Sequence, residues 1–275
     1  MRAFERLIRY VRIHTTSDPD SGTTPSTARQ FDLAHILVEE MKSLGISDAY
    51  VDDQCFVYGS LPATPGYEDV PALGFIAHMD TAPDASGENV QPQIIPDYDG
   101  GEVVLPSGAV LSPKMFPTLP ALRGMTLITT DGTTLLGADD KAGIAEILTA
   151  CEQIQAKGTP HGKICIAFTP DEEIGTGIEK FRLDRFGAVC AYTVDGGPEG
   201  DIAYETFNAC KATVDIRGLS VHPGSAKDTM INASLVAMEF NSMLPALEIP
   251  RCTEGYEGFF HLCSMNGNVE EAHLT

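Results

Sequence analysis

The stretch ALGFIAHMD at residues 72–80 decides the fold, because a short apolar run ends there in a histidine and an acidic residue. An apolar run of this length predicts a buried strand of a parallel sheet. Residues 164–168 (ICIAF) and 188–194 (AVCAYTV) predict two more such strands. Open α/β sheets bind ligands beyond the carboxyl ends of their strands. We therefore predict an α/β fold with a mostly parallel, twisted sheet, flanking helices and a site at the strand ends.

Histidine or acidic side chains stand after each apolar run and before one predicted helix. They are His78 and Asp80, Asp171 to Glu173, Asp195, and the pair Asp139 and Asp140. Histidine nitrogens and carboxylate oxygens bind zinc readily, and paired zinc sites hold an activated water. Taken alone, each cluster has a plainer interpretation as a structural histidine, a helix cap or an acidic turn. Four clusters at neighbouring ends together predict a metal site.

The spacing within two clusters predicts different roles for their members. Side chains alternate along an extended chain, so His78 and Asp80 point to the same side and Asp80 can orient the imidazole. By the same rule, Glu172 and Glu173 point to opposite sides if the segment is extended. One of them can then bind metal while the other faces the substrate.

Composition disfavours several classes of function. The 275-residue chain carries a net charge of -21, which argues against nucleic acid and anionic membranes as partners. No apolar run reaches the roughly 20 residues that span a membrane. The seven cysteines are odd in number, lack C-x-x-C spacing and lie mostly in apolar stretches. They predict reduced core residues and a cytoplasmic location.

Helical spacing of apolar residues predicts a first helix near residues 4–11, followed by a loop over residues 17–26. A second helix is expected to run from a cap at Ser26 or Thr27 to a stop at Gly45. Both helices are interpreted as scaffold.

Residues 81–123 are rich in proline, glycine and aspartate and predict a long irregular excursion. After it, Asp131-Gly132 between two β-prone segments predicts a hairpin. A helix starting near Lys141 follows, which places Asp139 and Asp140 where the helix dipole stabilises carboxylates.

Four passages together are similar to the M20 family of dizinc metallopeptidases. They are GFIAHMDT at 74–81, TTDG at 129–132 with ADDKAG at 138–143, FTPDEE at 168–173, and YTVDGG at 192–197. The resemblance covers essentially the whole chain. Residues 111–117 and 253–259 resemble the tripeptide aminopeptidases of that family in particular.

The resemblance implies roles for individual residues. His78 and Asp195 would bind one zinc ion, Glu173 would bind a second, and Asp139 would bridge the two zinc ions of a complete subunit. Asp80 would orient His78, and Glu172 would act as the general base. In the family the Asp139–Asp140 peptide bond is cis, and we expect it here. Cobalt or manganese suits the same ligands as zinc.

The resemblance also implies two domains. Residues 1–205 would form the N-terminal part of a catalytic zinc-peptidase domain, and residues 206–275 part of an α+β lid domain that dimerises. His222 would reach the active site of the partner subunit in a homodimer and stabilise the oxyanion there. Judged from the residues alone, a histidine before Pro-Gly is more often a turn residue.

The chain departs from the family pattern at its end. It stops inside the predicted second strand of a hairpin whose turn is Asn266-Gly267. The family continues with the rest of the lid, including a substrate-contacting arginine, and with a second zinc-binding histidine. Neither His261 nor His273 lies in the motif that supplies that histidine. We therefore expect this chain to be part of a longer enzyme.

The expected activity is hydrolysis of the first peptide bond of a tripeptide by a zinc-activated water. One alternative is another M20 activity, such as that of a dipeptidase, carboxypeptidase or N-acyl amino-acid deacylase. The other is a metal-binding or dimerising fragment without turnover.

Overall fold

The computed structural model describes residues 1–197 and 199–275. Contacts divide this part of the chain into two compact units, Met1–Asp201 and Ile202–Thr275. Each unit has its own sheet and its own cluster of buried apolar side chains. The expected division into a catalytic part at 1–205 and a lid at 206–275 stays a prediction.

The first unit contains the elements that position the predicted site. Its helices are α1 (Ala3–Tyr10), α2 (Gln30–Ser43), α3 (Ala138–Lys157) and α4 (Leu183–Phe186). Its strands are β1 (Tyr50–Val51), β2 (Val57–Leu61), β3 (Leu73–His78), β4 (Gln93–Ile95), β5 (Val103–Val104), β6 (Val110–Leu111), β7 (Leu127–Thr129), β8 (Ile164–Thr169) and β9 (Cys190–Thr193).

The main sheet has the strand order β1-β2-β8-β3-β9. Strands β8 and β9 run parallel to β3, whereas β2 is antiparallel to β8 and β1 is antiparallel to β2. The predicted α/β class is confirmed, with three parallel strands extended at one edge by two antiparallel ones. His78 pairs with Thr169, so the carboxyl ends of β3 and β8 are level.

Strand β8 lies at the centre of the packing, because all six of its residues are buried. Ile166 and Phe168 face the core that α2 and α3 share with the sheet, and Cys165 faces a second cluster that contains Phe186 of α4. Alternation of side chains explains the two faces. Each large apolar side chain buried this way contributes about 1.5–3 kcal/mol, so β8 is anchored from both sides.

Strand β9 does not fit the prediction of a buried strand. Its four residues are exposed, and β3 is its one hydrogen-bonded neighbour in the described chain. The apolar run at 188–194 predicted a strand correctly, but composition does not tell which strand lies at the edge of a sheet.

The prediction that the cysteines are core residues is only partly right. Cys55, Cys151 and Cys165 are buried, whereas Cys190, Cys210, Cys252 and Cys263 are exposed. All seven are free thiols, as expected.

Helix α2 begins later than the sequence predicts. The predicted cap at Ser26 or Thr27 is wrong, because the N-cap position is occupied by Arg29, which makes no side-chain capping bond. The hydroxyl and the backbone N–H of Ser26 instead donate hydrogen bonds to the carboxylate of Asp171. A contact with a residue so distant in the sequence replaces the local cap.

Other helix predictions are confirmed. Helix α1 covers the expected residues, and α2 ends just before Gly45, whose φ of +84° is unstrained for glycine. Helix α3 is present after the two aspartates, as predicted, and buries Ile144 and Leu148. None of the helices described for this chain is long and apolar enough to cross a membrane.

The predicted hairpin around Asp131-Gly132 is wrong. Strand β7 pairs with β4, and residues 133–136 form no strand. Asp131 instead accepts hydrogen bonds from the N–H and hydroxyl of Thr133, which closes a local turn. The segment at 81–123 is also less irregular than expected, since β5 and β6 pair there. Its small core contains Tyr98, Val103, Leu105 and Leu119.

The second unit packs helix α5 (Ala233–Met243) on an antiparallel sheet of β10 (Val214–Arg217), β12 (Glu271–Leu274) and β11 (Met265–Gly267). Its buried residues are Ala233, Ala237, Ala272 and Leu274. The Asn232 side chain caps α5 by accepting the N–H of Leu235.

The hairpin turn of the second unit lies further along than predicted. Asn266 and Gly267 belong to β11, and the turn follows them. The side-chain oxygen of Asn268 accepts the N–H groups of Glu270 and Glu271 and so organises the turn.

Candidate metal centre

The predicted site residues of the first unit gather where β3, β8 and β9 end. His78 is the last residue of β3, and Asp195 follows β9 by two residues. Glu172 and Glu173 begin a 3₁₀ turn after β8, and Asp139 lies at the start of α3. The parallel strands therefore bring residues far apart in the sequence to one edge of the sheet.

The imidazole of His78 is the centre of this group. Its Nε2 lies 2.9 Å from Asp139 Oδ1, 3.8 Å from Asp195 Oδ2 and 3.9 Å from Glu172 Oε2. One ligand atom from each of His78, Asp139 and Asp195 lies within 4.8 Å of the others. The first of these distances is a direct hydrogen bond, and the three side chains together are close enough to share one cation.

The other ring nitrogen of His78 faces Asp80. Nδ1 lies 3.1 Å from the Asp80 carbonyl oxygen and 3.3 Å from its Oδ1. This contact leaves Nε2 for the centre of the cluster. The predicted proximity of the two side chains is confirmed, while the role of Asp80 stays a prediction.

Asp80 also holds the turn that carries the two glutamates. Its fully buried carboxylate accepts the N–H of Glu172 at 3.0 Å and that of Glu173 at 3.2 Å. The expectation of an extended segment at these glutamates is wrong, because such bonds need consecutive N–H groups pointing the same way. Sequence reasoning missed this link, which joins the ends of β3 and β8.

The two adjacent aspartates have opposite environments. The Asp139–Asp140 peptide bond is cis, as expected. The Asp139 side chain is 71% exposed and faces His78. Asp140 is buried and accepts the N–H groups of His78 and Gly143, both at 3.1 Å. Asp140 therefore fixes the backbone at the end of β3 and the first turn of α3.

Sequence reasoning treated Asp140 only as part of an acidic pair. Burial raises its pKa to about 8, with the charge of Asp195 adding to the effect and His78 opposing it. Gly143, three residues further along the chain, approaches the carbonyl of Val194 so closely that a side chain would collide with it. Glycine at this position was the available signal for that contact.

The cluster as a whole carries excess negative charge. Burial lowers the pKa of His78, but the carboxylates around it, Asp80 above all, raise that pKa to about 10. Burial and neighbouring carboxylates raise the pKa values of Glu172, Glu173 and Asp195, against the opposing charge of His78. A bound cation would relieve this repulsion.

The donor set fits a divalent metal ion with nitrogen and oxygen ligands. A histidine nitrogen and two carboxylate oxygens match the ligands of catalytic zinc sites, which keep an open position beside three protein ligands. The exposed face of Asp139 leaves such an opening. These residues would hold one metal ion between them.

Four predicted site residues lie outside this group of three, namely Asp80, Glu172, Glu173 and His222. Glu173 joins it only through the backbone bond to Asp80. His222 belongs to the second unit, where its Nδ1 accepts the N–H of Gly224 at 3.1 Å. His273 lies in the same unit, beside Asp215.

Comparison with known proteins supports a common origin over nearly the whole chain. The M20 family model described as the peptidase dimerisation domain matches residues 204–275. Peptidase T of Geobacillus kaustophilus is 57% identical over 273 residues, which cover 98% of this chain and 66% of that protein. Peptidase T of Halothermothrix orenii is 54% identical, with 99% and 67% covered. The chain thus spans about two thirds of the length of these curated relatives.

A solved structure shows the same fold. The crystal structure of aminopeptidase PepT from Bacillus cereus aligns with a TM-score of 0.63 and 23% identity, covering 99% of this chain and 64% of that one. The alignment therefore includes the three parallel strands and the residues that follow them.

Proposed function

The chain belongs to the peptidase T family of M20 metallopeptidases, and from this premise we propose that it forms part of a metal-dependent aminopeptidase acting on tripeptides. One observation carries the proposal. Ligand atoms of His78, Asp139 and Asp195 lie within 4.8 Å of one another, and Glu172 lies 3.9 Å from His78 Nε2. This arrangement supports a metal site with the carboxylate of Glu172 beside it.

The proposed metal ligands follow the family pattern. His78 and Asp195 would hold one zinc ion, Glu173 would hold a second, and Asp139 would serve as a ligand of both. Zinc bound there would supply Lewis acidity, which polarises the scissile carbonyl and makes a water easier to deprotonate. Zinc as the native metal, and two ions per complete subunit, are parts of this proposal that elemental analysis tests.

Asp80 is proposed to fix the working geometry of His78. A carboxylate on Nδ1 sets the imidazole tautomer, so that the lone pair of Nε2 is available to a metal. The same carboxylate holds the N–H groups of Glu172 and Glu173. One side chain therefore sets the relative positions of a ligand and the proposed base.

Glu172 is proposed to move the proton. Its side chain is 56% exposed, so it can face a substrate that enters from the open side. Burial and the neighbouring carboxylates raise the pKa of Glu172 above that of an ordinary glutamate. A base with a raised pKa takes a proton from water more readily and can then deliver it to the leaving amine.

His222 is proposed to act from a second copy of the chain. The match of residues 204–275 to a peptidase dimerisation domain supports a homodimer. In that dimer His222 would donate a hydrogen bond to the oxyanion of the partner's substrate. Gel filtration with an activity readout tests this, since an active monomer contradicts a role in trans.

The proposed partners are therefore a short peptide and a second copy of the chain. Charge and composition argue against nucleic acid and membranes as partners, and this stays a prediction from the sequence, as does a cytoplasmic location.

The experiment compares tripeptides with dipeptides and N-acyl amino acids, using the chain as given and a version extended to the length of its relatives. Each is loaded with zinc, and its metal content is measured. We expect release of the N-terminal residue from tripeptides. Glu172→Gln should lower the rate by about 10²–10⁴-fold, the usual contribution of a general base.

Each other result favours a different reading. Exclusive deacylation contradicts the aminopeptidase proposal in favour of another M20 activity. Bound metal without hydrolysis of any substrate in either version favours a non-catalytic metal-binding module.

A further inference from the structure

Asp171 has an unusual position directly before the two glutamates. Its side chain is fully buried, and its φ of +59° is in the left-handed region, which aspartate tolerates better than most residues. Its carbonyl accepts the N–H of Thr176, which closes the turn on the far side. A charged side chain is rarely buried completely without a partner, so its contacts identify its role.

The Asp171 carboxylate accepts three hydrogen bonds from one distant segment. The backbone N–H of Ser26 lies 2.7 Å from Oδ2, and Gln30 Nε2 lies 2.6 Å from Oδ1. The hydroxyl of Ser26 donates the third bond to Oδ1. These donors belong to the loop before α2 and to its first residue, and they satisfy an anion that is out of reach of water.

Two buried carboxylates therefore hold the turn from opposite sides. Asp80 grips the N–H groups of Glu172 and Glu173 from the end of β3. Asp171 ties the residue before them to the Ser26–Gln30 segment. The backbone is thus held at Asp171 and at both glutamates, which limits the directions in which the glutamate side chains can point.

We propose that Asp171 is a positioning residue, which aims Glu172 and Glu173 by anchoring their turn to the segment from Ser26 to Gln30. The inference rests on the proposed function of the two glutamates. The Asp171 side chain is fully buried, and its carboxylate is occupied by the donors of Ser26 and Gln30. Loss of a residue that orients a ligand typically costs about 10–100-fold in metal affinity or activity.

The chain offers a matched control in Asp48. Its carboxylate accepts the N–H and the hydroxyl of Ser60, the same pair of bonds that Asp171 makes with Ser26. Ser60 pairs with Cys165, near the opposite end of β8 from the glutamates. Asp48 is exposed, unlike Asp171, so Asp48→Asn changes the same pair of bonds at the surface and away from the site.

Two substitutions distinguish the effect of the Asp171 carboxylate from that of its left-handed backbone conformation. Asp171→Gly removes the carboxylate but accepts the left-handed φ without strain. Asp171→Asn keeps one acceptor oxygen and turns an NH₂ group toward the donors. If the carboxylate is the anchor, both weaken it and the glycine variant does so more.

The first readout is amide hydrogen exchange of the metal-free protein, which needs no turnover. We expect exchange at Glu172 and Glu173 to accelerate about tenfold or more in Asp171→Gly, as local opening becomes easier. Asp171→Asn should give a smaller increase, and Asp48→Asn should match the wild type there. Unchanged exchange in both Asp171 variants, or equal acceleration in Asp48→Asn, overturns the proposal.

The second readout is zinc affinity and peptide kinetics in the extended, metal-loaded chain. We expect both Asp171 variants to lower zinc affinity, because Glu173 is displaced. They should also lower kcat about 10–100-fold with little change in KM, because Glu172 is displaced and the substrate-binding surface is not. If KM alone rises, the positioning role is wrong. If the wild type hydrolyses no peptide, the proposed function fails while the exchange data still decide the role of Asp171.

Discussion

Strands β8 and β9 flank β3 and end at the same site, yet they are packed in opposite ways. Both run parallel to β3, and Leu73 pairs with the first residue of each. All six residues of β8 are buried, and all four residues of β9 are exposed. The site is therefore built from one rigid flank and one edge strand.

The two flanks hold their carboxylates by different kinds of contact. On the β8 flank, buried carboxylates grip the turn of Glu172 and Glu173. On the β9 flank, the chain before Asp195 is held by the bond from Val194 N–H to the Ile76 carbonyl and by close contact with Gly143. Side-chain anchors serve the first flank and backbone contacts the second.

Thiol labelling should show the largest difference between β8 and β9. Cys165 on β8 is fully buried, and burial raises its pKa, whereas Cys190 on β9 is exposed. Labelling of Cys165 has to wait for the sheet to open, so we expect Cys190 to react on the order of 10³-fold faster or more. Mass spectrometry of the labelled peptides measures both rates. Similar rates would show that β8 is not protected.

Truncation of one side chain on each strand should differ in its cost. Ile166→Ala leaves a cavity in the main core and should lower the free energy of unfolding by about 2–5 kcal/mol. Tyr192→Ala removes a half-exposed ring stacked on Phe75 and should cost less than about 1 kcal/mol. Urea unfolding curves give both values. Equal losses would mean that β9 is covered in solution.

Asp80→Asn tests the side-chain anchor of the β8 flank at the site itself. The amide donates where the carboxylate accepted, so it loosens His78 and the turn of Glu172 and Glu173 together. We expect zinc affinity to fall about 10–100-fold, as measured by calorimetric titration. Asp48→Asn, the same change at a distant turn, should leave zinc affinity unaltered. If Asp80→Asn bound zinc as tightly as the wild type, the proposed role of Asp80 in orienting His78 would be wrong.

The smallest effect is the pH dependence of metal-free stability. The raised pKa of Asp140, about 8, means that the folded state keeps a proton which the unfolded state releases near pH 4. His78, with its pKa raised to about 10, likewise stabilises the fold below its ordinary value and loses this as pH rises through 10. Both favour a higher Tm near pH 6 than near pH 9.

Asp140→Asn tests the first of these two contributions, because it removes one titrating group and leaves His78. The rise in Tm between pH 9 and pH 6 should become smaller in this variant. Added zinc should reverse the trend in the wild type, since protons compete with the metal for its ligands. A Tm that falls from pH 9 to pH 6 without metal would contradict the assigned shifts.

The sequence was sufficient for features that depend on short stretches. The apolar runs before His78 and Asp171 predicted β3 and β8, and the two-residue period predicted that Asp80 lies beside His78. The cis bond between the two aspartates was expected from resemblance, and the structure contains it.

Features that depend on distant partners could not be predicted. Ser26 was expected to cap α2, but its N–H and hydroxyl donate hydrogen bonds to the buried carboxylate of Asp171 instead. β7 pairs with β4 in preference to its neighbouring segment. The edge position of β9 follows from strand order, which local composition does not encode. The two hydrogen bonds that Asp80 accepts from Glu172 and Glu173 also join residues distant in the sequence, so they could not be predicted either.

Zinc titration of the metal-free protein, compared between the wild type and His78→Ala, tests the central claim most directly. The account predicts at least one zinc per chain in the wild type, and an affinity loss in His78→Ala beyond the roughly 100-fold limit for residues that only orient a ligand. No zinc binding by the wild type, or equal binding by both proteins, would contradict a metal centre at the ends of these strands.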